Sequence, residues 1–576
     1  MSSFVYNEGN FEIEKPEEIF LTLGMFFDGT KNNMYHTEIR KKIQKKGEFK
    51  ETKNSEITED EWDIYAKYAH KNESFGNDFT NVARKYYACK KEYRIYIEGI
   101  GTANPKDKNK NDRNDGYVYG RGVTGVVEKV RLGCAMLAEK ISQKIKGKEK
   151  KNDDNEITKV NLIIDAYGFS RGAAAARFFL YQLQKEAYPF LWHNYPYDYE
   201  RTTIYKGDEV GNFIEDSWLK EGLLPPFGLL GTELLKADVP RELIETMFVK
   251  VRFLGIYDTV ASYDRNCIAI PDFEGQIGKL HLHEIGNPQR AVHYTAMDEH
   301  REYFSLTRLK TKGFKNRVER NFPGVHSDVG GSYNHDPLTI RQFRDKDQKA
   351  KLFLANPYIP GKTSEYEMLY LDDSFFFSHL KSFRKELLEE GWYRDRQIKI
   401  GVRKISYIFP SIHREYIYGE RTLCRGYSFI PLHFMCEEAC KYLTNNELSI
   451  NKILNDYALE DTFLEYVKEY LREHTIENDN DDENKWVLQD RSAFEKEESY
   501  TINDNVLFEK REEKASLEEE NAIDGGELEE VEVTAIRGDY LLRKLRNNYL
   551  HRSSRINTLE DRLGHHAAKD RKRHEF

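Results

Sequence analysis

Ser170 stands inside Gly168-Phe169-Ser170-Arg171-Gly172, a G-x-S-x-G pattern. A serine hydroxyl becomes a useful nucleophile only when an imidazole takes its proton and a carboxylate fixes the tautomer of that imidazole. The base candidate is His326, set in the glycine-rich run F-P-G-V-H-S-D-V-G-G-S-Y (322–333) and free of any apolar periodic face. The acid candidate is Asp258, which falls at the end of the buried-looking run V-K-V-R-F-L-G-I-Y-D-T-V (249–260). Such a trio would pass an acyl group to water through an acyl-serine, with backbone N–H groups holding the oxyanion. Seventeen histidines and many aspartates make the order Ser, Asp, His easy to obtain by chance, so placement at strand ends carries more weight than order. The competing bases are His293 and His335. The competing acids are Asp165, which reads as a partner near the serine turn, and Asp328, which reads as a loop-stabilising residue.

The elements that must hold these residues are legible around Ser170. Val160 to Ile164 is an apolar, β-branched run without alternation, as suits a strand buried on both faces. Ala173 to Phe179 is a breaker-free helix former. Strand, tight turn and helix in that order are the setting in which G-x-S-x-G means a nucleophile elbow. Gly168 and Gly172 then serve to keep side chains out of a crowded, strained turn. Ser170 as the N-cap of a plain strand-to-helix turn is the bland alternative, and it leaves the second glycine unexplained. Glu18 to Phe27 reads as a first buried strand, and Asp28 to Asn33 as the loop after it. In an elbow arrangement the oxyanion donors would be the N–H of Arg171 and that of Gly29 or its neighbour, although an ordinary turn accounts for Asp28-Gly29 equally well. Further along, Phe79–Cys89 and Val126–Lys144 read as helices, Tyr93–Gly99 as a strand, and Asn287–Phe304 as a helix carrying His293 and Asp298.

Composition narrows the classes. The 88 basic and 98 acidic residues leave a net charge of −10, so no basic bias points to nucleic acid. The glycines at 116, 120, 122 and 125 lack both the Lys-Ser/Thr ending of a phosphate loop and the spacing of a dinucleotide fingerprint. Cys436 and Cys440 have no second pair or nearby histidine to make a zinc site. No metal or cofactor is therefore expected. Met1 to Asn10 is polar, without a signal-peptide pattern, and no apolar run reaches transmembrane length. The expected class is α/β: a mostly parallel central sheet flanked by helices, with inserted lid or cap segments and a largely helical C-terminal part. Residues 1–336 form the expected catalytic domain, with insertions at about 37–73 and 188–235, and 337–474 an accessory region. Residues 475–576 read as an acidic linker followed by a basic tail, for which a solvated helix is the simplest structure. The aromatic, proline-broken insertion 188–235 follows the serine helix, where a lid or acyl-chain wall would sit; a cap packed on the core is the alternative.

Five blocks together, F-F-D-G-T-K-N-N, G-F-S-R-G-A, F-L-G-I-Y-D-T-V, H-Y-T-A-M-D-E-H-R-E-Y-F and F-P-G-V-H-S-D-V-G-G-S-Y, resemble the α/β-hydrolase domain of type VI secretion phospholipase effectors of the first lipase class. The resemblance runs from about Phe20 to Tyr333. It implies a phospholipase A-type enzyme with Ser170, Asp258 and His326 as its triad, acting on membrane glycerophospholipids of rival bacteria. It also implies synthesis in the bacterial cytoplasm, delivery on a secretion spike protein, action in the periplasm of the target cell, and a cognate immunity protein in the producer. An esterase or peptidase on soluble substrates, and a catalytically idle hydrolase fold that binds lipid or a partner, are the alternatives.

Overall fold

The computed structural model describes residues 17–48, 57–69, 73–103, 122–149, 157–195, 202–261, 273–301, 304–334, 364–372, 380–404, 413–477 and 540–552. Its strands in chain order are β1 (Glu17–Phe27), β2 (Arg94–Ile97), β3 (Ile157–Phe169), the short β4 (Tyr188–Pro189), β5 (Leu191–Asn194), β6 (Ile204–Gly207) and β7 (Leu223–Leu224), then β8 (Phe248–Tyr257), β9 (Arg290–Ala296), β10 (Arg317–Phe322), β11 (Ser364–Asp372), β12 (Ile398–Lys404) and β13 (His413–Cys424).

Six of them make the central sheet, in the order β10-β9-β8-β3-β1-β2 and parallel throughout. The C-terminal halves of β1, β3 and β8 are buried residue after residue, because both faces of a parallel sheet are covered. Met25 and Phe27 face the helices Val126–Glu149 and Arg171–Gln182, while Phe26 between them faces the opposite core, the period of two that a strand imposes. That second core holds Tyr96, Tyr167, Phe253 and Tyr294 together with Ile430, Phe434 and Met435 from the helix Phe429–Cys440. The region beyond residue 336 therefore closes one face of the sheet. It is largely helical, as expected, and adds a three-stranded antiparallel sheet, β11-β13-β12.

Three sequence expectations change. The stretch 290–296 is β9 rather than part of a helix: R-A-V-H-Y-T-A fills the place between β8 and β10, where β-branched and aromatic residues fit a surface buried on both sides. Residues 540–552 are not a solvated tail. They form a helix over 540–548 whose Leu541 and Leu545 are buried in the shared core, as are Tyr549 and Leu550 just beyond it, and Leu542 is buried as well. Among the described residues, the contacts of the stretch 188–235 do not lie at the serine turn. The helix Arg171–Gln182 carries the chain about 18 Å from Ser170 before the insertion begins. Its bonds then run to Gln182, Lys185 and Arg241, near the opposite edge of the sheet. The helices Met34–Glu48 and Glu59–Tyr68 form a small cluster of their own, Ile39, Ile43 and Tyr65, completed by Phe75. Gly116, Gly120, His335 and the acidic stretch beyond Glu477 lie outside the described residues.

Candidate active site

The loops after β1, β3, β8, β9 and β10 all open at the C-terminal edge of the sheet, and the strand order reverses between β1 and β3. That is where open parallel sheets bind ligands. Ser170 joins β3 to the helix Arg171–Gln182 with φ 59° and ψ −129°, a conformation that a non-glycine residue holds only under constraint. Its neighbours supply the constraint. Ser170 N–H donates to the carbonyl of Tyr257 at 3.0 Å, and its own carbonyl accepts from Val260 N–H at 3.4 Å. The elbow is thereby tied on both sides of Asp258. A Cβ on Gly168 would lie 2.5 Å from the carbonyl oxygen of Gly172, and one on Gly172 would lie 2.3 Å from that of Asp28. Both glycines are required by backbone that approaches too closely for any side chain.

Asp258 is fully buried at φ 40° just past β8. Its Oδ1 accepts from Ala296 N–H at 2.9 Å, and its Oδ2 lies 2.5 Å from Nδ1 of His326. His326 opens the short helix His326–Gly330 after β10. Its ring lies against Phe169, the residue before Ser170, at 4.5 Å between centroids, and meets the edge of Phe304 at 5.0 Å. Its backbone N–H donates to Glu299, whose carboxylate is gripped by Arg301 at 2.9 and 2.7 Å. Burial pushes the His326 imidazole below its usual range, and the Asp258 bond opposes this. No hydrogen bond joins Ser170 to His326. Of the two links that a Ser-His-Asp relay would need, the Asp258–His326 link is formed and the Ser170–His326 link is not.

Gly29 lies beside the elbow, but its N–H donates to its neighbour Asp28 at 2.7 Å. Asp28 also accepts from Thr80 at 2.6 Å and Tyr96 at 2.5 Å, and its burial lifts the carboxyl to about 6 against these bonds. Thr30, the next residue, accepts from Arg171 Nε at 2.7 Å, which ties the early loop to the first residue of the elbow helix.

The rival candidates are occupied elsewhere. Asp165 is clasped by Arg252 at 3.0 and 2.6 Å and by Tyr93 at 2.7 Å, inside the sheet. His293 lies on β9, with Nδ1 on Glu319 at 2.7 Å and Nε2 accepting from Thr259 N–H at 3.1 Å, so it braces the residue after Asp258. Asp328 accepts from Val325 N–H at 3.0 Å, as a loop stabiliser should, and also from His551. Glu299 and His551 are absent from the sequence-derived site because no local pattern marks them; each meets the His326 loop from a distant point of the chain.

The profile described as "T6SS, Phospholipase effector Tle1-like, catalytic domain" matches residues 23–350. Among solved structures, "Structure of the Tle1 effector bound to the VgrG spike from the Type 6 secretion system" is similar at 17% identity over 79% of each chain, with a TM-score of 0.41. An uncharacterized protein from Pseudomonas aeruginosa is similar at 18% identity over 55% of this chain and 42% of its own, with a TM-score of 0.24. No curated protein matches the sequence. The family profile spans more than half of the chain and every loop of the C-terminal sheet edge described above, and the protein belongs to the Tle1-like phospholipase effectors of type VI secretion.

Proposed function

We propose that the protein is a phospholipase A-type hydrolase of membrane glycerophospholipids, with Ser170 as nucleophile, His326 as general base and Asp258 as the carboxylate that orients it. The observation that carries this reading is the buried Asp258–His326 bond, set on loops that flank a serine held at positive φ. His326 Nε2 takes the Ser170 proton as Oγ attacks the acyl carbonyl; the resulting imidazolium then protonates the departing glyceryl oxygen, and lysolipid leaves. Water repeats the sequence on the acyl-serine and releases the fatty acid. The oxyanion falls to the N–H of Arg171 at the head of the elbow helix. Because Gly29 N–H is committed to Asp28, the second donor is assigned to its neighbour Thr30. The Ser170–His326 link closes when substrate is bound, as catalytic hydrogen bonds that are long in the free enzyme commonly do.

The family assignment supports delivery by type VI secretion, and the solved relative was captured on a VgrG spike. On this reading the protein is made in the bacterial cytoplasm, docks on a spike protein, acts on target-cell phospholipid from the periplasm, and is neutralised in the producer by an immunity protein.

The test is release of fatty acid and lysolipid from phosphatidylethanolamine–phosphatidylglycerol vesicles. Ser170→Ala should fall to the buffer background, since the triad acts as a unit; release that survives it overturns the assignment. The open Ser170–His326 link is also what an idle hydrolase fold would leave. A fluorophosphonate probe separates the two, because covalent labelling at Ser170 requires a working base.

A further inference from the structure

The loop that carries His326 is gripped from outside by a segment more than two hundred residues further along the chain. Arg546 Nη2 donates to Oδ1 of Asp298 at 2.6 Å, and Oδ2 of the same carboxylate accepts Gly324 N–H at 2.8 Å. His551 places Nδ1 2.6 Å from Oδ1 of Asp328, and its N–H donates to Oδ2 at 3.0 Å. That second oxygen also takes Val325 N–H at 3.0 Å. The His551 ring is stacked on Tyr333 with 3.4 Å between centroids. The backbone just before His326 is thus fixed through two carboxylates, one of them carried by Asp328 two residues after it, and each held by a residue of 540–552.

The other side of the segment is anchored away from the site. Arg421 donates to the carbonyls of Arg546 and Leu550, Asn547 to Trp392 and Gln397, and Arg543 to Glu389. Tyr549 stacks on Phe463 and donates to Asp461. Arg546, His551, Asp298 and Asp328 are all nearly excluded from solvent. Burying such pairs gains little stability over apolar packing of the same volume, so stability alone is a weak account of them. Geometry is a better one: a general base misplaced by about 1 Å can lose about 100-fold in rate.

We propose that residues 540–552 are a strap that sets the position of the His326 loop, with His551 and Arg546 as its positioning residues. This rests on the reading of His326 as the general base. The basic character of the segment near the chain's end then has an internal meaning: its Arg546, together with His551, belongs to the scaffold of the proposed active site.

The experiment uses the full-length protein and a soluble ester, p-nitrophenyl butyrate, so that binding to a membrane does not enter. His551→Ala should lower kcat by about 10- to 100-fold, with KM within about twofold, and slow fluorophosphonate labelling of Ser170 in proportion. His551→Asn, whose side-chain N–H can reach Asp328 as Nδ1 does, should recover kcat to within about threefold. The reference for mere destabilisation is Leu471→Ala, a buried core truncation in the same region that makes none of these contacts. If His551→Ala loses no more kcat than Leu471→Ala at an equal fall in Tm, the strap has no positioning role. If His551→Ala does not fold, Arg546→Gln reaches the same loop through Asp298; unchanged kcat there also overturns the proposal. Measurement of His326→Ala alongside separates the two readings. Activity that survives it removes the base assignment itself, whereas an inactive His326→Ala beside a fully active His551→Ala removes only the strap.

Discussion

Nδ1 of His326 and Oδ2 of Asp258 stand 2.5 Å apart, with both side chains shut away from solvent and the second oxygen of Asp258 already taken by Ala296 N–H. This fixes what Asp258→Asn must do. The oxygen of the new amide stays on Ala296, so its NH2 group faces His326. Nδ1 must then become an acceptor, and the ring proton moves to Nε2, the nitrogen that should receive the proton of Ser170. Turnover is expected to fall roughly 10⁴-fold with little change in Tm. A loss below tenfold would show that Asp258 does not set the tautomer.

The same burial sets an acid limit for activity. A buried imidazole resists protonation, and burial outweighs the Asp258 bond that favours the charged form, so His326 titrates below its usual value of about 6.5. The neutral imidazole, the form the proposed base must have, is therefore present at pH 6.5 and above and persists somewhat below it. The acid limb of kcat/KM for p-nitrophenyl butyrate should lie under pH 6.5. A limb centred above 7 would mean that the Asp258 bond dominates or that another group limits the rate.

The places of the candidate residues were more legible than the contacts that support them. Gly168 and Gly172 marked the elbow because no side chain fits where they stand, and Asp258 and His326 fell at strand ends because a parallel sheet gathers its C-terminal loops. The stretch around His293 misled: 287–304 reads as a helix, and the strand within it has its place set by β8 and β10 on either side, which no local signal reports. The segment 540–552 reads as a charged tail because its arginines and lysines are as many as its leucines, four of each. The carboxylates of Asp298 and Asp328, far off in sequence, turn Arg546 and His551 inward. The insertion 188–235 has the composition of a lid, but composition carries no direction, and the length of the preceding helix takes it to the other edge.

Glycine substitutions test the elbow against an open position. Gly172→Ala drives a Cβ against the backbone oxygens of Phe27 and Asp28, where neither can yield without moving β1. Overpacking of this kind should cost about 1–3 kcal/mol or more and abolish activity. Gly147, near the end of the helix Val126–Glu149, is exposed, with nothing near its missing Cβ. Gly147→Ala should instead add up to about 1 kcal/mol through helix propensity and leave turnover unchanged. Urea unfolding of the two variants, read against the parent, checks both signs.

Arg252 bridges Asp165 on β3 to Glu447 in the C-terminal region, with Tyr93 completing the shell of Asp165. It lies on the face of the sheet closed by the helix Phe429–Cys440, and none of its bonds reaches Asp258 or His326. Arg252→Met would leave the Asp165 carboxylate in the sheet with the Tyr93 hydroxyl as its remaining hydrogen-bond partner and the charge of buried Lys85 as its remaining counterion, a loss of about 3–5 kcal/mol for a buried pair broken at one partner. Adding Asp165→Asn removes that charge and keeps an acceptor for Tyr93, so the double variant should regain at least half of the loss. At a temperature where both remain folded, kcat on p-nitrophenyl butyrate should match the parent. Equal destabilisation of single and double variants would place the cost on Glu447 instead, and a selective fall in kcat would return Asp165 to the chemistry from which its partners now exclude it.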